Sequence, residues 1–136
     1  NGNHEEVFLG LHGERARSQP WIDASHLAWL RCRPHRMELT LAGRTVVAVH
    51  STPWQPHGQY VYPHSPALQR FGEVDADYVL YGHTHAPVVK RIGRPLVVNP
   101  GSAGQARDGA GLSCAVLDLA SGEAQIVGFT AERFAA

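Results

Sequence analysis

Cysteine is scarce in this sequence: 136 residues contain two, Cys32 and Cys114. They stand in unrelated segments without metal-ligand spacing. They therefore read as buried free thiols of a reducing compartment, and the protein is expected to be cytoplasmic. Net charge is also missing, with twelve basic against twelve acidic side chains. No overall field exists to hold a long nucleic acid or an anionic membrane. Lys90 is the only lysine, a bias better ascribed to coding than to function. No apolar run approaches membrane-spanning length, and no signal-peptide pattern is present. What is there suits a single soluble globular domain: 43% hydrophobic and 18% charged residues, with 14 glycines and 9 prolines for turns. Nine histidines are the outlier.

The chain reads as β-rich with a few short helices. The stretch from Asn1 to Glu6 looks like a loop, and Val7 to Leu11 like a helical turn. Asp23 or Ser25 can cap a helix over His26 to Arg33, with Leu27 and Leu30 toward the core and Pro34 as its stop. His35 to Leu41 alternates, which predicts a half-buried strand with Met37, Leu39 and Leu41 on one face. After the turn Ala42-Gly43-Arg44, the β-branched and apolar run Thr45 to Val49 predicts a strand buried on both faces. Residues 51–66 hold four prolines and the aromatics Trp54, Tyr60 and Tyr62. That composition predicts an ordered loop, because a disordered one would be poor in aromatics. Pro66 opens a short helix through Leu68 to Phe71. Strands follow over Tyr78 to Tyr81, Val88 to Ile92, Pro95 to Val98, Leu112 to Leu119 and Glu123 to Phe129. Consecutive hairpins imply that at least part of the sheet is antiparallel or mixed, and two packed sheets with helices outside are expected.

Chemistry gathers after strands. Gly82-His83-Thr84-His85 follows the run Tyr78-Val79-Leu80-Tyr81, and His50 follows Thr45 to Val49. Asn3-His4 lies in a third loop. Imidazole is the commonest transition-metal ligand, and ligands collect outside the carboxyl ends of strands in open α/β sheets. A lone His-x-His is more often a hydrogen-bonded surface loop; several such loops together point to a metal on one rim of a sheet. Nitrogen and amide oxygen donors suit Mn, Fe, Ni, Co or Zn better than Ca or Mg.

Four motifs in order, Gly2-Asn3-His4-Glu5, Val47-Ala48-Val49-His50, Gly82-His83-Thr84-His85 and Asn99-Pro100-Gly101-Ser102, resemble those of the calcineurin-like metallophosphoesterases. The likeness is greatest to the small bacterial and archaeal phosphodiesterases and runs from residue 1 to about residue 129. It implies an α/β fold, a two-sheet β-sandwich flanked by helices. It also implies two divalent transition-metal ions, Mn first and Ni, Fe, Co or Zn as alternatives. They would lie about 3.5–4 Å apart, bridged by an aspartate and a water or hydroxide that attacks phosphorus. Carried over by motif, Asn3, His50 and His83 resemble ligands of the second metal and His85 a ligand of the first. His4 resembles the residue that contacts phosphate and protonates or stabilises the leaving oxygen. Glu5 gains no role from the resemblance. Asn99 to Ser102 is expected to fix a turn under the histidine loop, and Arg107 to be an exposed loop arginine.

The family's Asp-x-His and Gly-Asp motifs have no counterpart here. Only Asp23 and Asp108 lie in loops free enough to substitute, and neither has the right context. Residues 1–136 are therefore expected to be a phosphoesterase domain lacking its amino-terminal part, inactive or nearly so alone, with one sheet edge left exposed. The expected activity of the parent protein is metal-dependent hydrolysis of a small phosphodiester or phosphomonoester. The alternatives are a non-catalytic assembly scaffold on the same fold and a nucleotide- or nucleic-acid-processing nuclease. Trp54, Tyr60 and Tyr62 could stack on a base or aryl group, or equally be packing. His57 and His64 read as incidental.

Overall fold

A computed structural model describes residues 2–107, 109 and 111–130. Its element order is α1 (Asn3–Leu9), α2 (Glu14–Arg17), α3 (Ala24–Arg31), β1 (Arg36–Leu41), β2 (Arg44–Val49), β3 (Tyr78–Leu80), β4 (Val88–Arg91), β5 (Leu96–Asn99), β6 (Leu112–Asp118) and β7 (Glu123–Phe129). Short 3-10 segments cover Leu11–Gly13 and Pro66–Glu73. Five strands form one sheet in the order β1-β2-β3-β5-β4, and β6 and β7 form a second. The expected mixed α/β architecture of two sheets with helices is what the chain adopts.

Pairing explains where the rim residues go. The β2–β3 and β3–β5 pairs are parallel, while β1–β2 and β4–β5 are antiparallel hairpins. Parallel strands finish on the same side, so the segments after Val49, Leu80 and Asn99 share one rim. Two bonds beyond the strands extend that alignment: the Tyr81 N–H donates to Val98 O and the Gly82 N–H to His50 O, both at 2.9 Å.

Each face of the central strands has its own cover. On one side Val47, Val49, Val79 and Val97 pack with Val61, Leu68 and Phe71 from the β2–β3 connection. On the other, Val46, Tyr78, Leu96 and Val98 meet Ala115, Leu117, Leu119 and Ala124 of the second sheet and its turn. Fully burying a side chain of this kind is worth about 1.5–3 kcal/mol. The anticipated two-faced burial of Thr45 to Val49 is thus met from Val46 onward, at its valines.

Four expectations are corrected. Asn3 to Glu6 is helical, because Glu5 reaches back 2.8 Å to accept the Gly2 N–H and starts the turn. Strand β1 is exposed along its whole length. Its register sets Leu39 opposite Val46 and Met37 opposite Ala48, on the face the second sheet covers. That two-stranded sheet covers Val46 but leaves Met37 and Leu39 uncovered. Helix α3 begins at Ala24, capped by Asp23, whose carboxylate accepts the Ser25 N–H at 2.6 Å; it buries no residue fully. Both cysteines are free, as expected, but exposed. Among the described residues no helix is long and apolar enough to cross a membrane.

Candidate metal centre

Three side chains distant in sequence converge on the rim. His50 Nε2 lies 2.7 Å from Asn3 Oδ1 and 3.0 Å from His83 Nδ1. Asn3 comes from the first turn of α1, His50 directly follows β2, and His83 sits three residues past β3. Gly2 makes the approach possible, since a Cβ there would fall 2.7 Å from His50 Nδ1. Helix α1 is held down by Arg17, whose guanidinium donates to the carbonyls of Phe8 and Gly10.

The histidine loop is strained and braced. His83 and His85 both have left-handed backbone, with φ of 70° and 58°. Non-glycine residues in that region cost about 1–3 kcal/mol each and persist where surrounding structure dictates them. The brace is Asn99, wholly buried. Its amide donates to Gly82 O at 3.2 Å and to Thr84 Oγ1 at 3.0 Å, and its oxygen accepts the Gly101 N–H at 3.0 Å. Gly101, at φ 80°, passes so close to Ser113 that a Cβ would meet its hydroxyl at 2.1 Å. The expected role of Asn99 to Ser102 as support for the histidine loop is therefore visible bond by bond.

The electrostatics favour neutral imidazoles. Burial pushes His50 below its ordinary value and the neighbouring His83 adds to the shift, with Glu5 opposing. Burial likewise pushes His83 down, helped by Arg107, His85 and His4, while a backbone hydrogen bond at Gly58 opposes. Neutral rings are the form that binds a metal. The shared atom also has too few protons: a neutral His50 Nε2 cannot serve both Asn3 Oδ1 and His83 Nδ1 as a full donor. A cation would resolve that conflict. Donor atoms about 2.05 Å from one ion lie about 2.9 Å apart in an octahedral arrangement and about 3.3 Å apart in a tetrahedral one, and the two spacings seen are nearer the former. Two imidazoles and one amide oxygen are donor types that a transition-metal ion takes, so these three residues could hold one. Among the described residues no group of three His, Cys, Asp or Glu side chains converges to hold an ion.

His85 Nδ1 lies 2.6 Å from Gln105 O, and its charge bears on His83. His4 is exposed, and its charge bears on both His50 and His83. Arg107 is exposed, as expected, and its charge bears on His83. Asp23 is engaged as the α3 cap, and Asp108 lies outside the described residues. Sequence reading gave Glu5 no role, yet it caps α1 and so sets Asn3. A Glu three residues after Gly2 was the available signal, obscured by the absence of Ser or Thr at the cap.

The profile of the calcineurin-like phosphoesterase superfamily domain matches residues 1–122. The chain belongs to the calcineurin-like phosphoesterase superfamily. Among solved structures, a metallophosphoesterase from Sphaerobacter thermophilus is similar at 26% identity and a TM-score of 0.68, over 92% of this chain and 62% of that one. The hypothetical protein PH1004 from Pyrococcus horikoshii OT3 is similar at 18% identity and 0.67, over 90% and 48%. An archaeal phosphodiesterase is similar at 17% and 0.53, over 89% and 78%. The chain thus spans 62% and 48% of the first two structures. No curated relative matches it. Superfamily membership makes the chain part of a phosphoesterase group.

Proposed function

We propose that this calcineurin-like phosphoesterase chain supplies part of the site for metal-dependent hydrolysis of a small phosphoester. The observation that carries the reading is the convergence of Asn3 Oδ1, His50 Nε2 and His83 Nδ1. These three would hold one divalent transition-metal ion, with Mn the first choice. His85 would serve a second ion once ligands beyond this chain's own cluster join it. Bound metal would supply charge neutralisation on the phosphoryl oxygens and a nucleophile from water at neutral pH.

The chain's own residues do the rest. Asn3 and the two neutral imidazoles give uncharged donors, which leave the ion's positive charge available to the phosphate. Exposed His4, one residue from Asn3, can meet the leaving oxygen and give it a proton. Exposed Arg107, whose charge bears on His83, can bind anionic oxygens. The strained His83–His85 loop keeps its donors fixed because Asn99 is fully bonded.

A second reading, a non-catalytic assembly scaffold, draws on the exposed apolar residues of the first 41 positions, among them Leu11, Trp21 and Trp29. Hydrolysis of bis(p-nitrophenyl) phosphate by the full-length protein with Mn²⁺ separates the two. The phosphoesterase reading predicts activity that falls at least about a hundredfold in the double variant H50A/H83A, the scale of lost metal ligands and their supports. Full activity in that variant would contradict it.

A further inference from the structure

The loop between β2 and β3 carries a row of rings. Tyr60 and Tyr62 have centroids 6.2 Å apart and planes 14° apart; Tyr62 and His64 are 5.9 Å and 11° apart. The inner end lies on the metal-centre histidine, with the Tyr60 ring 4.1 Å from that of His83 and tilted by 33°. The backbone beneath is anchored. Val61, between the tyrosines, is 1% exposed, and its carbonyl accepts the Tyr81 hydroxyl at 3.1 Å. The Tyr62 N–H donates to Ser65 Oγ at 2.9 Å.

Trp54, in the same loop, shows what a packing aromatic does there. Its ring lies 4.9 Å from Phe71 in the core, and Arg70 covers it at 4.3 Å. Tyr60 behaves differently: it is 51% exposed although it stands beside a buried histidine. Tyr60 keeps half of its surface in solvent on an anchored backbone next to His83, and the half-buried Tyr62 ring runs nearly parallel to it. Such a row suits a flat ring, and stacking on an aromatic side chain is worth about 1–3 kcal/mol.

We propose that Tyr60 and Tyr62 form a stacking platform for the flat aromatic ring of the phosphoester, either a nucleobase or an aryl group. The placement of the phosphate at Asn3, His50 and His83 rests on the function proposed above. Phosphate and ring then occupy neighbouring positions, joined through the His83–Tyr60 contact. The platform would make the enzyme selective for nucleotide-like or aryl esters over aliphatic ones.

Calorimetric titration of the 136-residue chain, with Ni²⁺ present, tests this. The probes are AMP, phenyl phosphate, ribose 5-phosphate and adenosine. The expected result is that AMP binds about five- to a hundredfold tighter than ribose 5-phosphate. Tyr60→Leu should remove that advantage, so that AMP and ribose 5-phosphate bind the variant equally, while Tyr60→Phe keeps it; circular dichroism checks that each variant is folded. An equal gain by phenyl phosphate assigns the platform to any flat ring, and a gain by AMP alone assigns it to a nucleobase. Equal binding of AMP, phenyl phosphate and ribose 5-phosphate overturns the platform and leaves the phosphate reading standing. Tyr60-dependent binding of adenosine without any binding of phosphates keeps the platform and removes the phosphate reading. Binding of none of the four overturns both.

Discussion

The first 41 residues and the segment from Arg44 to Ser102 are built to different standards. In the later segment Val47, Phe71, Val79 and Val97 are wholly buried, and β5 is buried at every position. In the earlier one α1, α2, α3 and β1 contain no buried residue, while Leu11 and Trp21 are 90% and 75% exposed. The candidate metal centre straddles the two. His50 and His83 come from the well-packed part, Asn3 from a helix held by a cap, an arginine and the close passage of Gly2. The difference teaches that two donors are set by the core and the third by a few polar contacts.

The largest test of that contrast is a pair of truncations. Phe71→Ala should cost about 3–5 kcal/mol in urea denaturation, whereas Leu11→Ala should stay within about 0.5 kcal/mol. Similar costs for both would erase the distinction. Next comes the brace. Asn99→Ala strips the partner from Gly82 O, Thr84 Oγ1 and the Gly101 N–H, and should cost about 2–3 kcal/mol. It should also weaken metal binding about ten- to a hundredfold, because the His83 loop loses what offsets its strain. A variant with native metal affinity would show that the left-handed histidines hold themselves. Gly2→Ala should act on the other side only, weakening Ni²⁺ binding through displaced His50 while the urea midpoint barely moves.

The smallest effect is electrostatic. The Thr45 backbone N–H, and then Arg94, hold the Asp77 carboxyl below the usual carboxylate range. A lowered folded value means stability that is present above the unfolded pKa, about 3.9, and lost as pH falls through the lowered value. Asp77→Asn should therefore flatten the acid limb of stability against pH, read by thermal melts, without altering metal binding.

Much of this arrangement was legible in the residues. Turn chemistry marked the hairpins: Ala42 and Gly43 take φ of 49° and 73°, and Gly93 and Gly122 sit in the later turns. The apolar run before His50 announced a central strand, and parallel pairing then carried His50 and His83 to one rim. Burial was less legible. Alternation in Arg36–Leu41 states that a strand is pleated, not that anything covers it. Helix α1 was masked because Gly2-Asn3 has the composition of a turn and its cap is supplied by Glu5. The Tyr60–His83 contact spans 23 positions and no local pattern encodes it.

The central claim is that Asn3, His50 and His83 act as one ligand set and that His85 stands apart from it in this chain. Ni²⁺ titration of the 136-residue chain by calorimetry, with the variants N3A, H50A, H83A and H85A, tests it most directly. The account predicts one weak site, lost in H50A and H83A, weakened about tenfold or more in N3A and kept within a few-fold in H85A. Loss of binding in H85A, or native binding in H50A, would contradict it.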